Sequence, residues 1–128
     1  MVVVPPEIRA ELRAHALEEA PNECCGLVLL RDGVAVRYVR GVNKLASPYR
    51  YELYIDPAVW ADLNDEEELE QAIFHSHPET APKPSRTDRE NVGLWAGRPY
   101  FIYGLALDEL RAWRVSRDGA VELDVQSE

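Results

Sequence analysis

The stretch QAIFHSHPETAPKPSRTDREN, residues 71–91, reads as a buried strand, a proline-rich loop and the start of a helix. It places two histidines one residue apart at the end of the apolar run. Side chains two residues apart in a strand project to the same face, so His75 and His77 are expected to point into one space. Two imidazoles in this arrangement are suited to bind one metal ion.

A catalytic zinc ion usually takes three protein ligands, so a third ligand must come from elsewhere. Asp88, in the first turn of a helix that begins at Ser85, is the nearest candidate. The same residues also fit a capping box, in which Ser85 caps the helix and Asp88 bonds back to the cap, with no metal required. These residues alone favour capping over ligation, and a lone pair of histidines has many explanations other than metal binding.

The remaining helices are predicted from apolar spacing and from prolines at first turns. A proline pair precedes an amphipathic helix over residues 7–20, and Asp56 followed by a proline marks the start of another helix. The segment 85–97, which ends on glycine, reads as a third helix. The three tryptophans are expected to fill the core; they are Trp60, Trp95 and Trp113.

The strands are predicted from apolar or alternating runs. Asp-Gly pairs at 32–33 and 118–119 separate strand-like segments and predict two hairpins. Residues 49–55, 68–77 and 99–107 are further strands. Strands that mix with antiparallel hairpins, rather than alternating strictly with helices, predict an α+β fold with helices packed on a curved, largely antiparallel sheet. A chain of 128 residues is expected to form one domain, over residues 1–128.

Composition and charge limit the classes of partner. Acidic residues outnumber basic ones by 23 to 14, and the net charge of -9 opposes binding to nucleic acid. No apolar run is long enough to cross a membrane and no signal peptide is evident, so a cytoplasmic protein without a membrane partner is expected. The adjacent cysteines Cys24 and Cys25 are disfavoured as a disulfide pair, which agrees with a reducing compartment.

Two motifs in this chain resemble those of one known family. HSHP at 75–78, a loop through residue 84 and then SRTD at 85–88 are similar to the JAMM motif of the MPN-plus (Mov34/MPN/PAD-1) zinc metallopeptidases. PNECCG at 21–26 is similar to the segment that carries a glutamate in the N-terminal third of the same family. The order of the predicted helices and strands also agrees with the family, so the resemblance covers nearly the whole chain.

The resemblance implies an MPN/JAMM-like domain with one zinc ion per chain. It implies that His75, His77 and Asp88 are the metal ligands, that Glu23 is the general acid/base, and that Ser85 donates a hydrogen bond near the substrate carbonyl. Imidazole and carboxylate also accept iron, cobalt and manganese, so the metal in the cell stays open. The resemblance assigns no clear role to Cys24 or Cys25.

The family resemblance further implies a hydrolase of amide or isopeptide bonds after the C-terminal Gly-Gly of ubiquitin-like proteins. This chain is close to the bare catalytic core of the family, which favours processing of a sulfur-carrier protein, for instance in cysteine biosynthesis, with protein deconjugation close behind. The alternative is a non-catalytic MPN-type scaffold for protein interactions. A homodimer is a further expectation.

Overall fold

The computed structural model describes residues 1–66 and 68–127. Within them, the helices are α1 Pro6–Glu19, α2 Pro57–Asn64 and α3 Arg86–Glu90. The strands are β1 Val2–Val3, β2 Cys25–Arg31, β3 Val34–Arg40, β4 Val42–Asn43, β5 Leu53–Tyr54, β6 Glu70–His77, β7 Pro99–Gly104, β8 Glu109–Ser116, β9 Gly119–Leu123 and β10 Val125–Gln126.

Eight of these strands form one mixed sheet in the order β10-β1-β3-β2-β6-β7-β8-β9, and β4 and β5 form a separate pair. Most neighbours in the large sheet are antiparallel, whereas β6 and β7 are parallel and β1 lies parallel to both β3 and β10. The strand that carries the two histidines, β6, lies inside the sheet between β2 and β7. The predicted α+β class with a mixed, largely antiparallel sheet is confirmed.

The two sheet faces bury separate apolar clusters. The helix α1 packs on one face through Ile8, Leu12 and Ala16. On the other face lie Leu63 of α2 and Val92, which follows α3. Because side chains alternate along β6, its odd-numbered residues, including both histidines, belong to the face covered by α2 and α3.

The predictions for α1, α2 and the two hairpins are confirmed. The carboxylate of Asp56 accepts a hydrogen bond from the backbone N–H of Ala58 at 2.8 Å, as expected of a residue that caps α2. Asp32 and Gly33 both have positive φ, at 50° and 80°, which is the backbone of a type I′ hairpin turn.

The helix predicted over residues 85–97 is wrong in extent. The α-helix α3 has five residues, and a short 3₁₀ turn at Gly93–Trp95 follows it. Gly93 has a φ of 51°, which is a left-handed conformation that no α-helix accommodates. The segment instead forms two short turns, of which Val92 and Trp95 pack on the apolar cluster of the histidine face.

Two other expectations need correction. Residues 49–55 were expected to form a strand, but only Leu53–Tyr54 pair, and they pair with β4 rather than with the large sheet. Of the three tryptophans only Trp113 is buried, whereas Trp60 and Trp95 are partly exposed at the edge of the apolar cluster on the β6 histidine face.

None of the described helices is both long enough and apolar enough to cross a membrane.

Candidate metal centre

The pairing of β2 with β6 brings Glu23 to the histidines. These strands are antiparallel neighbours, with Cys25 opposite His75. In an antiparallel pair, two residues back along one strand correspond to two residues forward along the other, so Glu23 lies level with His77. Because residues two apart share a face, Glu23 is expected on the histidine face, and its carboxylate lies with the ring nitrogens of both histidines in a group whose ligand atoms are within 4.8 Å of one another.

Three further distances define a compact set of donor atoms. His75 Nε2 and His77 Nε2 lie 3.0 Å apart, and Asp88 Oδ2 lies 3.3 Å from the first and 3.2 Å from the second. All three residues are buried, at 4% exposure or less. The carboxylate of Asp88 is therefore the third donor that the two imidazoles face.

The capping box of α3 and the donor set share the same carboxylate. The hydroxyl of Ser85 accepts a hydrogen bond from the Asp88 backbone N–H at 3.0 Å, and the Ser85 N–H donates to Asp88 Oδ2 at 2.9 Å. The capping interpretation is thus confirmed as a structural feature. It does not compete with ligation, because the N–H bond holds Oδ2 in place beside the histidines.

His77 is oriented by a hydrogen bond from its other ring nitrogen. Its Nδ1 lies 2.8 Å from the backbone carbonyl oxygen of Ala81, in the proline-rich loop. A carbonyl only accepts, so Nδ1 carries the proton and donates. The other nitrogen, Nε2, faces His75 and Asp88. It donates to Asp88 Oδ2 when the ring is protonated, and in the neutral ring it offers the lone pair that a metal ligand requires.

His75 is instead held by aromatic packing. Its ring stacks on Tyr51 with centroids 4.5 Å apart and meets Tyr100 edge-on at 5.5 Å. The two tyrosine hydroxyls are 2.8 Å apart and hydrogen-bond to each other. The Nδ1 atom of His75 is buried and has no hydrogen-bond partner among the described residues. Packing therefore fixes the ring plane of His75.

The electrostatics favour a cation at this position. Burial lowers the pKa of His75, so its ring tends to be neutral. Burial also disfavours the charged form of His77, but its hydrogen bonds to Asp88 and Ala81 outweigh this and raise its pKa. For Asp88, burial alone would raise the pKa, but the histidines and the Ser85 N–H hold it well below its usual range. A permanent carboxylate thus faces two imidazoles out of water.

Glu23 is the buried acid beside this set. It is 3% exposed, and its Oε1 has no hydrogen-bond partner among the described residues. Burial raises its pKa to about 8, although the positive charge on His77 acts in the opposite direction. An unpartnered carboxyl oxygen with a pKa near neutrality is suited to take up and release a proton.

The donor set fits a zinc ion. Ligand atoms about 2.0–2.1 Å from a tetrahedral zinc lie roughly 3.3 Å from one another. The three donor pairs are 3.0, 3.2 and 3.3 Å apart. Two imidazole nitrogens and one carboxylate oxygen are donors that zinc accepts, and three protein ligands leave a fourth position for reaction.

The two cysteines lie next to Glu23 in sequence but have a different environment. Both are free thiols and fully buried. Burial raises the pKa of each thiol to about 12, so both stay protonated at neutral pH. A protonated, buried thiol is neither an effective nucleophile nor a ready metal ligand, which argues for a packing role.

A cavity of about 560 Å³ opens beside the donor set and includes Asp88 in its wall. Its walls combine aromatic and polar residues. The aromatic residues that line it are Tyr51, Trp60, Trp95 and Tyr100, and the charged ones are Arg50, Glu52 and Asp88. The β5 strand contributes Leu53. A substrate chain that reaches Asp88 through this cavity would therefore pass between aromatic surfaces.

The family of the chain follows from comparison with known proteins. The model of the prokaryotic homologs of the JAB domain matches residues 5–116. The chain belongs to the JAB/MPN family. The predicted resemblance to the JAMM/MPN proteins is thereby confirmed. A JAB1/MPN-domain protein of Archaeoglobus fulgidus shares the fold, with a TM-score of 0.65 at 14% identity. The match covers 98% of this chain and 95% of that protein.

Two relatives in the JAB/MPN family have names that state an activity. The CysO-cysteine peptidase of Mycobacterium tuberculosis is 33% identical over 131 aligned residues, which cover 94% of this chain and 86% of the relative. The desampylase of Haloferax volcanii is 35% identical over 108 residues, covering 75% of each protein. This JAB/MPN chain is thus similar over most of its length to a peptidase.

The structure brings together all five residues that the sequence suggested, namely Glu23, His75, His77, Ser85 and Asp88. It also adds residues that sequence reasoning missed. The carbonyl of Ala81 and the rings of Tyr51 and Tyr100 hold the two histidines. A backbone carbonyl has no sequence signal, and the two tyrosines meet only because the loop before β5 folds over β7.

Proposed function

We propose that this JAB/MPN protein is a zinc-dependent hydrolase that cleaves amide or isopeptide bonds after the C-terminal Gly-Gly of a ubiquitin-like or sulfur-carrier protein. The observation that carries the proposal is the buried set of three donor atoms, 3.0–3.3 Å apart, beside an acid whose Oε1 has no hydrogen-bond partner among the described residues. A purely structural cluster would gain nothing from an unpartnered buried carboxyl, since such a group costs stability.

The ligands are His75, His77 and Asp88. Zinc held by such a set acts as a Lewis acid toward a carbonyl oxygen and makes water a nucleophile at neutral pH. Glu23, as their neighbour, would be favoured in its charged form beside a bound cation and would then be available as a base.

Glu23 takes a proton from the attacking water and passes it to the leaving nitrogen. The C–O bond to water forms and the C–N bond breaks. The second proton of the water also goes to the leaving amine, so the products are a carboxylate and an ammonium group. Ser85 accepts from the Asp88 N–H through a lone pair, and its own O–H donates to the carbonyl oxygen of the substrate as charge develops there.

The cavity beside Asp88 receives the tail of the carrier protein. Glycines have no side chains, so a Gly-Gly terminus can thread between Tyr51, Trp60 and Trp95 and approach the ligands closely. Strand addition to β6 is not available, because both of its edges are paired. The strand β5, which pairs with β4 and contributes Leu53 to the cavity wall, offers a shorter edge for the tail.

Two substrate classes follow from the relatives. The name of the mycobacterial relative, a CysO-cysteine peptidase, supports release of an amino acid from a carrier C-terminus. The name of the desampylase supports removal of a ubiquitin-like modifier from a protein. We favour carrier processing, because the mycobacterial relative matches 94% of this chain and the archaeal one 75%.

Mass spectrometry of a sulfur-carrier protein extended by one amino acid after its Gly-Gly terminus tests the proposal. Incubation with the zinc-loaded protein is expected to remove the extension, and a chelator is expected to stop the reaction. The Glu23→Gln variant is the matched control, since it lacks the base but keeps the ligands.

An isopeptide-linked carrier conjugate is assayed in parallel. Cleavage of the conjugate alone would favour deconjugation. Failure to cleave either substrate, together with no stoichiometric zinc, would overturn the proposal and favour a non-catalytic scaffold.

A further inference from the structure

We propose that Trp113 and Gly104 position the ligand His77, by fixing the proline-rich loop 78–84 at Pro82, and so raise the affinity of the site for zinc. The inference rests on the metal site of the proposed function and extends it to two residues outside that site. Trp113 is a buried residue of β8, and Gly104 ends β7.

The first step is the dependence of His77 on the loop. Its Nδ1–H donates to the carbonyl of Ala81 at 2.8 Å. This bond fixes both the ring orientation and the tautomer that leaves Nε2 free for a metal ion. Such outer partners of metal-binding histidines typically change metal affinity by about 10- to 100-fold when they are removed. The position of the Ala81 carbonyl is therefore a determinant of the site.

The second step is how the loop is held. Its prolines have no N–H to donate, so it has fewer backbone bonds available than an ordinary loop. The indole N–H of Trp113 donates to the carbonyl of Pro82 at 2.9 Å, one residue after Ala81. Trp113 is 6% exposed and belongs to the apolar cluster on the histidine face, so this donor comes from a rigid part of the fold.

Pro82 also makes a close contact with Gly104 at the end of β7. Gly104 lies opposite His77 in the β6–β7 pair. A Cβ atom at Gly104 would lie 2.7 Å from Cδ and 3.2 Å from the backbone nitrogen of Pro82. The ring of Pro82 thus rests directly on β7, and this is feasible only because residue 104 has no side chain. Pro82 is held by a hydrogen bond and by a steric contact from separate strands.

Two variants disturb Pro82 independently. Trp113→Phe keeps an aromatic ring in the cluster, removes the indole N–H and also reduces the buried volume of the side chain. Gly104→Ala keeps the indole and pushes Pro82 away from β7. Val115→Ala is the control, because Val115 is 1% exposed in the same cluster and loses packing without a bond to the loop.

Zinc dissociation constants are measured by competition with a chromophoric chelator, and circular dichroism checks that each variant is folded. Both Trp113→Phe and Gly104→Ala are expected to weaken zinc binding by about tenfold. This is the low end of the range seen when a residue that orients a metal-binding histidine is lost. Val115→Ala is expected to lower thermal stability and leave the affinity within about twofold. Nitrogen-15 NMR of the imidazoles in chelator-treated protein is expected to show more of the Nε2–H tautomer of His77 in both variants.

The outcomes separate this inference from the proposed function. If the wild-type protein binds no zinc, the metal site itself is wrong. If the wild type binds zinc, and both folded variants bind it equally well with an unchanged His77 tautomer, only the positioning role is overturned. Equal weakening in Val115→Ala would also overturn it, because the effect would then follow general stability.

Discussion

On the α1 side of the sheet, His15 hydrogen-bonds through Nδ1 to the Tyr38 hydroxyl at 2.6 Å, whereas on the opposite side the Nε2 atoms of His75 and His77 face each other at 3.0 Å. All three rings are buried. The difference lies in their partners. One ring nitrogen of His15 is satisfied by the neutral hydroxyl of Tyr38. The rings of His75 and His77 instead share the carboxylate of Asp88.

This comparison teaches that burial alone does not identify a metal ligand. A neutral imidazole bonded to a tyrosine is a stable core residue, and burial lowers the pKa of His15 to about 4. Two imidazole nitrogens at contact distance from one Asp88 oxygen are better satisfied by a cation than by each other. The expected results of substitution therefore differ in kind between the two faces.

The largest expected effect is on the metal side. His77→Ala or Asp88→Ala removes one of the three proposed ligands, so zinc binding and hydrolysis are both expected to be lost, with turnover down by more than about a thousandfold. Metal analysis of the purified variants and carrier cleavage by mass spectrometry measure the two losses. His15→Ala is the comparison variant and should retain zinc; zinc loss there would erase the distinction between the faces.

The second prediction separates the base from the ligands. Glu23→Gln is expected to keep about one zinc per chain and to lower kcat by roughly 10²- to 10⁴-fold, because the amide cannot accept a proton. Zinc content and steady-state kinetics on the extended carrier are the measurements. Glu19→Gln, an exposed neighbour, is the matched control and should be unaffected. Retained hydrolysis in Glu23→Gln would remove this residue from the mechanism.

The third prediction concerns the double role of the α3 cap. Ser85→Ala is expected to cost about 1 kcal/mol of folding stability through the lost cap and to lower kcat by about tenfold or more through the lost hydroxyl. Ser85→Thr retains a capping hydroxyl and should recover most of the stability. Denaturant unfolding and kinetics on both variants test this. An unchanged kcat in Ser85→Ala would exclude the hydrogen bond to the substrate and leave Ser85 with its capping role alone.

The last prediction is on the α1 side, where only stability and not activity is expected to change, and it depends on pH. The pKa of His15 is lowered from 6.5 to about 4 by burial. As the pH falls below 6.5 the unfolded chain takes up this proton first, so its contribution to stability is full above pH 6.5 and is lost between pH 6.5 and 4. The contribution amounts to at most about 3 kcal/mol.

His15→Asn, which retains a polar group for Tyr38, is expected to lose less stability than the wild type between pH 7 and pH 4.5. Urea unfolding at the two pH values measures the difference. Equal losses in the two proteins would show that His15 already titrates normally in the folded state. The description of His15 as a neutral core residue, in contrast to His75 and His77, would then be wrong.

Much of the site could be predicted because its chemistry is local. The spacing of His75 and His77 needs only a strand, and Ser85 and Asp88 need only the first turn of a helix. The ligand roles of His75, His77 and Asp88 rested on resemblance to a family, and so did the role of Glu23. The approach of Glu23 to His77 depends on the pairing of β2 with β6, which also brings the Cys24 N–H to the Ser76 hydroxyl across 52 positions of the chain. Strand partners are not encoded in either strand alone.

The errors have a related cause. Residues 49–55 alternate as a strand does, but only Leu53–Tyr54 find a partner, so most of that pattern serves to pack Tyr51 on His75. The segment 85–97 has a cap at Ser85 and a glycine at its end, as a helix does, but α3 ends at Glu90 and the left-handed Gly93 prevents the helix from continuing. Periodicity reports which side chains are buried, and it does not report which backbone groups are paired.

By itself, the sequence determined the helix α1, the Asp-Gly hairpins and the strand β6 with its two histidines on one face, because each depends on spacing within about one element. Only the tertiary structure decided the sheet order, the hydrogen bond from His77 to Ala81, the aromatic packing around His75 and the contacts of Trp113 and Gly104 with Pro82. These features join segments distant in sequence, and their energies depend on distances that arise when the whole core is packed.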